Sequence, residues 1–99
     1  YIADNIRHYI IDILDSLRRH QDVSLGPSPR GGIALLKGAR ALAFTQGRDF
    51  AIPDDVKRLL IPALYHRLKI NAEAEMENVT PEAIINKIAN EIPVPKIES

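Results

Sequence analysis

The residues best placed to do chemistry lie together in one short segment, Gly26-Pro27-Ser28-Pro29-Arg30. Ser28 is a good helix N-cap and Pro29 suits the first helical position, so a helix should begin there. The start of a helix presents unpaired backbone N–H groups and partial positive charge, which attract an anion. Arg30 stands at the end of the helix dipole that disfavours a cation, and a bound phosphate or carboxylate would offset that cost. The segment therefore indicates an anion site.

Three other residues of the same helix bear on this hypothesis. Lys37 follows seven residues later and projects from nearly the same helix face, which makes it a second candidate contact to the anion. Gly32 falls on the packed face, where a glycine lets two helices meet, whereas no role follows for Gly31. The alternative, which the residues leave open, is that Arg30 is an ordinary exposed arginine paired with a nearby carboxylate.

The other residue types that bind metals or carry out catalysis form no site. The sequence has no cysteine, which excludes disulfides, cysteine nucleophiles and thiolate-bound metals. Asp54 and Asp55 fit the first turn of a helix, and the histidines do not have metal-ligand spacing, so no metal site is predicted. No phosphate-binding G-x-x-x-x-G-K-[ST] loop occurs, so the chain alone should lack catalytic residues for ATP hydrolysis. The histidines are His8, His20 and His66.

Four helices should position these residues, because apolar side chains recur at three- and four-residue spacing. They are expected over Tyr1–His20 and Ser28–Gly47, and from Pro53 and Pro81 onward. Pro62 should kink or split the third helix. The fold class predicted is all-α, a small four-helix bundle.

The remaining segments predict connections and core positions. Gln21–Pro27 and Asn71–Asn78 are expected as connectors, the second of them acidic. Phe50–Ile52, pairing near Leu68–Ile70, would give at most a tiny two-stranded ribbon. Asp15 and Arg19 have the i,i+4 spacing of an exposed ion pair. The aromatic residues fall at core spacing: Tyr1, Tyr9, Phe44, Phe50 and Tyr65.

The 99 residues suffice for a single domain, 1–99, with 13 basic and 13 acidic side chains and no net charge. Residues 21–69 carry eight basic against four acidic side chains, whereas residues 70–99 carry two against six. The neutral total disfavours nucleic acid as a partner, and no window has the length of a membrane span or the pattern of a signal peptide. A cytoplasmic setting is therefore the default. Because Tyr1 already lies inside a predicted helix, we expect a fragment of a longer protein.

An ordered set of short motifs resembles the C-terminal lid domain of MoxR-family AAA+ ATPases. It runs over almost the whole chain, and Ile52 departs from it, standing where a capping threonine is common. The motifs are Leu25-Gly26-Pro27-Ser28-Pro29-Arg30, Ala39-Arg40-Ala41-Leu42-Ala43, Gly47-Arg48-Asp49-Phe50, Pro53-Asp54-Asp55-Val56, His66-Arg67-Leu68 and Val94-Pro95.

The resemblance implies a small helical bundle packed on an ATPase core that holds ATP and Mg²⁺. Arg30 would be sensor 2, an arginine that reaches the ATP phosphates, with Ser28 and Pro29 setting its helix start. Partners would be the core domain of the same chain and neighbouring subunits of a hexamer. Such ATPases mature or activate other protein complexes in a chaperone-like manner, often alongside von Willebrand factor A domain proteins.

A second resemblance belongs to another class of function. A long central helix, followed by a short strand and a helix opening with Asp54-Asp55-Val56, is also similar to a histone-fold module. That module would be a dimerising, DNA-associated scaffold without enzymatic activity. The neutral charge, the pair Gly31-Gly32 and the helix-breaking Pro62 oppose it.

Overall fold

The computed structural model describes residues 4–95, which form five α-helices, one 3₁₀ turn and two short strands. The all-α prediction is confirmed. The structure contains a fifth, short helix within the acidic connector, in addition to the four predicted helices. It forms because the Asn71 side chain caps its start. In chain order the elements are α1 (Asp4–Arg19), β1 (Val23–Leu25), α2 (Pro29–Thr45), α3 (Pro53–Leu64), the 3₁₀ turn (Tyr65–Arg67), β2 (Lys69–Ile70), α4 (Ala72–Met76) and α5 (Pro81–Glu91).

Prolines mark the starts of three helices, as the sequence predicts. At α5 the Thr80 hydroxyl also accepts a hydrogen bond from the Ala83 N–H at 3.2 Å. Pro62 does not split α3, which continues to Leu64 and then tightens into the 3₁₀ turn. The predicted start of the first helix at residues 1–3 lies outside the described residues.

The ribbon forms, but not from the predicted pair of strands. Its second strand, Lys69–Ile70, lies in the expected segment, whereas its partner is Val23–Leu25 rather than Phe50–Ile52. Side chains already bind the backbone around residue 50: Arg48 donates to the Phe50 carbonyl, and the Asp55 carboxylate accepts from the Ile52 N–H. This segment is therefore a loop held by side chains.

The core lies between α1, α2, α3 and α5, and α2 packs mainly on α3. Gly32 faces α1, as predicted: a Cβ there would lie 2.8 Å from Leu14 Cδ1, and the end of that flexible side chain would have to shift. The largest fully buried side chains include Ile13, Leu17, Leu35, Leu64 and Ile85.

The aromatic residues divide between core and surface. Tyr9 is buried as predicted, whereas Phe44, Phe50 and Tyr65 are 79%, 41% and 48% exposed. The core prediction was wrong for these three. Phe44 is exposed because the apolar arc of α2 is wider than the face that α1 and α3 cover, whereas Phe50 lies in the loop after α2 and Tyr65 in the 3₁₀ turn. Tyr1 lies outside the described residues.

None of the described helices combines the length and the apolar character that crossing a membrane requires.

Candidate functional site

Arg30 lies in the first turn of α2, with its side chain exposed. Within residues 4–95 no hydrogen bond or ion pair reaches its guanidinium group. The alternative hypothesis, that Arg30 pairs with a nearby carboxylate, therefore has no support among these residues. The first turn of α2 also contains no acidic residue, so the positive end of its dipole is uncompensated. Ser28 is the N-cap, with an extended backbone, and its hydroxyl makes no capping hydrogen bond. The Arg30 guanidinium group and the positive end of the α2 dipole are thus left facing solvent.

An arginine on α1 fixes the loop that leads into α2. Arg18 Nε donates to the Pro27 carbonyl oxygen at 2.9 Å, and its Nη1 contacts Asp15 Oδ1 at 3.0 Å. The predicted ion pair of Asp15 with Arg19 is therefore wrong. Asp15 pairs instead with Arg18, three residues along α1, whose side chain contacts the loop. Sequence reasoning missed this role of Arg18, since it depends on contact between two segments.

Gly26 lets this loop approach α1. A Cβ at Gly26 would lie 2.7 Å from Arg18 Cγ and 2.9 Å from Arg18 Cα, and backbone at that distance cannot move aside cheaply. Glycine is therefore required here by space.

Replacing Gly26 with alanine should move the start of α2 away from α1. We expect Gly26→Ala to lower the free energy of unfolding by about 2 kcal/mol, measured by urea denaturation of the chain. The matched control is Gly47→Asn, because Gly47 has φ +79° in open space and asparagine tolerates that conformation. An equal loss in both variants would contradict the steric account.

The structure indicates a packing role for Gly31, to which the sequence alone assigned none. It is buried, and a Cβ there would lie 3.2 Å from Leu64 Cδ2 and 3.3 Å from Pro27 Cβ. These contacts are tighter than ordinary side-chain packing. The absence of a side chain therefore lets the first turn of α2 rest against the end of α3, next to Arg30.

Lys37 is exposed about 10 Å further along α2. The structure places it in the wall of an open groove of about 580 Å³, whose lining also includes Arg40, Phe44, Arg48 and Phe50. Lys37 and Arg30 therefore occupy successive parts of one exposed side of α2, and their surroundings differ.

A second charged arrangement joins the end of α2 to α3. Asp55 is only 2% exposed, and its carboxylate accepts two hydrogen bonds from the Arg48 guanidinium, at 2.7 and 2.9 Å. Asp55 Oδ2 also accepts from the Ile52 N–H at 2.8 Å, so half of a capping box exists although Ile52 has no polar side chain. These hydrogen bonds, that of Arg48 above all, lower the pKa of Asp55 against the opposing effect of burial.

From sequence alone, Asp55 was predicted only as a helix-start carboxylate. Its burial was missed because nothing local distinguishes it from the exposed Asp54. The signal that could have revealed this burial is the combination of a proline-started helix, Asp55 at its third position, and Arg48 seven residues earlier in the chain. No three His, Cys, Asp or Glu side chains within the described part of the chain are grouped so that they could hold a metal ion.

Comparison with known families matches residues 15–88 to a family described as the AAA lid domain. The match includes the loop from α1, all of α2 and α3, and most of α5. The chain belongs to the AAA lid domain family. The histone-fold alternative is thereby set aside.

Relatives of this AAA lid domain place it among MoxR-like ATPases. It is 44% identical over 93% of its length to the uncharacterized protein YeaC of Bacillus subtilis. It is 34% identical over 78% of its length to Chaperone MoxR1 of Mycobacterium tuberculosis, and 32% identical over 91% to Protein MoxR of Paracoccus denitrificans. The resemblance to a MoxR-family lid is confirmed.

A solved structure has the same fold. It is the crystal structure of a protein from Cytophaga hutchinsonii that is considered an ATPase, with a TM-score of 0.90 and 30% identity over 96% of this lid. The lid spans 32% of that chain, and 29%, 20% and 31% of the three relatives.

Proposed function

We propose that Arg30 is the sensor 2 arginine of a MoxR-like AAA+ ATPase and contacts the phosphates of bound ATP. The observation that carries the proposal is an exposed arginine without a partner in residues 4–95, in the first turn of α2 of an AAA lid. Ser28 and Pro29 set the position of this turn, and the Arg18 bond to the Pro27 carbonyl holds it. Lys37 is the supporting cation further along the same helix.

The chemistry of these groups fits a phosphate. A guanidinium group offers a planar fork of donors that matches two phosphate oxygens, and it stays charged at any physiological pH. When ATP is bound, Arg30 would stabilise negative charge on the β- and γ-phosphates. We propose that Mg²⁺ and the catalytic groups are held by the ATPase core of the parent protein, which makes the parent an ATP hydrolase.

The proposed role of the lid in the parent is to report the state of the nucleotide. A lid arginine that gains or loses a phosphate contact changes the relative stability of two lid orientations, and this couples hydrolysis to movement. We propose that the movement remodels or matures a partner protein complex. The name of Chaperone MoxR1 supports that reading. The parent would act in the cytoplasm as a hexamer, with von Willebrand factor A domain proteins as candidate partners.

The lid alone should bind ATP poorly, because one or two cations cannot replace a phosphate-binding loop. We expect a dissociation constant no tighter than about 1 mM when the 99-residue chain is titrated with ATP in a calorimeter. Micromolar binding by the chain would contradict the division of labour between lid and core.

The experiment that tests the proposal is ATP hydrolysis by the full-length protein with Arg30 replaced. We expect a large loss of turnover from a protein that remains folded and assembled.

A further inference from the structure

The groove beside α2 combines exposed aromatic rings with cations. Phe44 is 79% exposed and Phe50 is 41% exposed, and neighbouring exposed apolar side chains mark interaction surfaces. Lys37 and Arg40 line the same groove, and neither has an ion-pair partner among residues 4–95. Asp49 is the one carboxylate in the lining, while Arg48 is already paired with Asp55. The groove therefore suits an apolar side chain accompanied by negative charge.

The same chain carries a surface of the opposite character on α4. Met76 is 84% exposed, and the glutamates around it, Glu73, Glu75 and Glu77, are all exposed. Ala74 points inward, which turns Met76 to the outer side of the helix. This surface is an apolar side chain surrounded by three carboxylates.

Hydrogen bonds at both ends hold α4 in place. The Asn71 side chain accepts from the Ala74 N–H at 2.9 Å and donates to the Gln21 carbonyl at 2.8 Å. After α4 the Val79 N–H donates to the Ala74 carbonyl at 3.0 Å. Met76 is therefore presented on a fixed support, which lowers the entropy cost of docking.

We infer that α4 of one copy docks in the groove of a second copy of this chain. Met76 would contact the Phe44 and Phe50 rings, since the methionine sulfur packs favourably against aromatic edges. Glu73 and its neighbours would face Arg40. The exposure of Met76 and of Phe44 shows that the two surfaces do not cover each other within one chain.

Such a contact joins two different surfaces, so each copy can use both at once. Repetition of a head-to-tail contact closes a ring when the rotation between copies permits. One helix in one groove buries less area than a stable complex needs, so the contact requires the rest of the parent protein to hold copies together. This inference does not depend on the phosphate role of Arg30.

Cross-linking between two variants of the full-length protein tests the contact, with any cysteine outside these 99 residues replaced by serine. Since the chain has no cysteine, mixing copies carrying Ala41→Cys in the groove with copies carrying Ala72→Cys on α4 allows this disulfide only between copies, and it keeps Phe44 and Met76. Mass spectrometry of the cross-linked peptides measures the yield under mild oxidation without nucleotide. The matched control replaces Ala72→Cys with Ile11→Cys, because Ile11 is also exposed, at 50%.

We expect about tenfold more disulfide from the Ala41 and Ala72 mixture than from the control, and a lower yield at about 1 M salt. Adding Arg40→Glu to the Ala41→Cys copy should reduce the yield about fivefold, and Glu73→Arg in the Ala72→Cys copy should restore it. Yields equal to the control would overturn the inference. Failure of the charge exchange to restore the yield would equally overturn it. ATP turnover of the Arg30 variant is a separate readout, so failure of either proposal can be recognised.

Discussion

Replacing Arg30 with alanine should lower ATP turnover of the full-length protein about 100-fold, because a preorganised cation at the developing phosphate charge is lost. The side chain is exposed and makes no ion pair within residues 4–95, so its removal breaks no contact seen in the lid. Arg30→Lys keeps the charge but loses the planar fork, and we expect an intermediate rate. Steady-state phosphate release at saturating ATP measures the effect.

The stability of the same variant gives a second, opposite readout. Because Arg30 opposes the helix dipole, Arg30→Ala should leave the free energy of unfolding unchanged or raise it by about 0.5 kcal/mol. Arg7→Ala on α1 is the matched control, since Arg7 is also an exposed helical arginine without an ion pair in the described region. Wild-type turnover in Arg30→Ala, or an equal loss in Arg7→Ala, would contradict the sensor assignment.

Replacing Asp55 with asparagine should destabilise the lid more than any exposed substitution. The carboxylate is almost fully buried, and its loss leaves the Arg48 guanidinium without its charged partner. We expect the free energy of unfolding to fall by about 2 kcal/mol and the melting temperature by about 10 °C. Thermal unfolding of the 99-residue chain measures the change.

The pH dependence identifies the ion pair as the cause. The Arg48 hydrogen bonds hold the pKa of Asp55 below its ordinary value of about 3.9. A carboxyl group with a lowered pKa in the folded state stabilises the fold fully above that ordinary value, and loses the contribution as the pH falls through the lowered one. The difference in stability between wild type and Asp55→Asn should therefore shrink below about pH 4.

The neighbouring residue supplies the control for this prediction. Asp54 is exposed in the same first turn of α3, so Asp54→Asn should cost only about 0.5 kcal/mol, from the helix dipole. Equal losses in the two variants would show that the buried ion pair with Arg48 does not carry the effect.

Local signals predicted the helices well because their causes are local. Proline at the first position of α2, α3 and α5 fixes each start, and the narrow isoleucine stripe of α5 fixes its buried face. The start of α2, and with it the position of Arg30, could therefore be read from the sequence. The proposed phosphate role of Arg30 rests on the anion site that this helix start indicates, together with the resemblance to the family.

Contacts between segments were harder to predict. The partner of Lys69–Ile70 is a strand of three residues, too short for its pattern to separate it from a loop. The bond from Arg18 to the Pro27 carbonyl depends on how α1 meets that loop. Phe44 was assigned to the core because it falls at core spacing, and the structure shows that it belongs to a groove open to solvent.

The central claim is that Arg30 distinguishes the phosphates of bound nucleotide. The most direct measurement is the ratio of affinities of the full-length protein for a slowly hydrolysed ATP analogue and for ADP, with and without Arg30→Ala. If Arg30 contacts the γ-phosphate, Arg30→Ala should reduce the preference for the ATP analogue over ADP at least about tenfold. A change of that size corresponds to the loss of one charge-assisted hydrogen bond. An unchanged ratio in a folded variant would contradict the account.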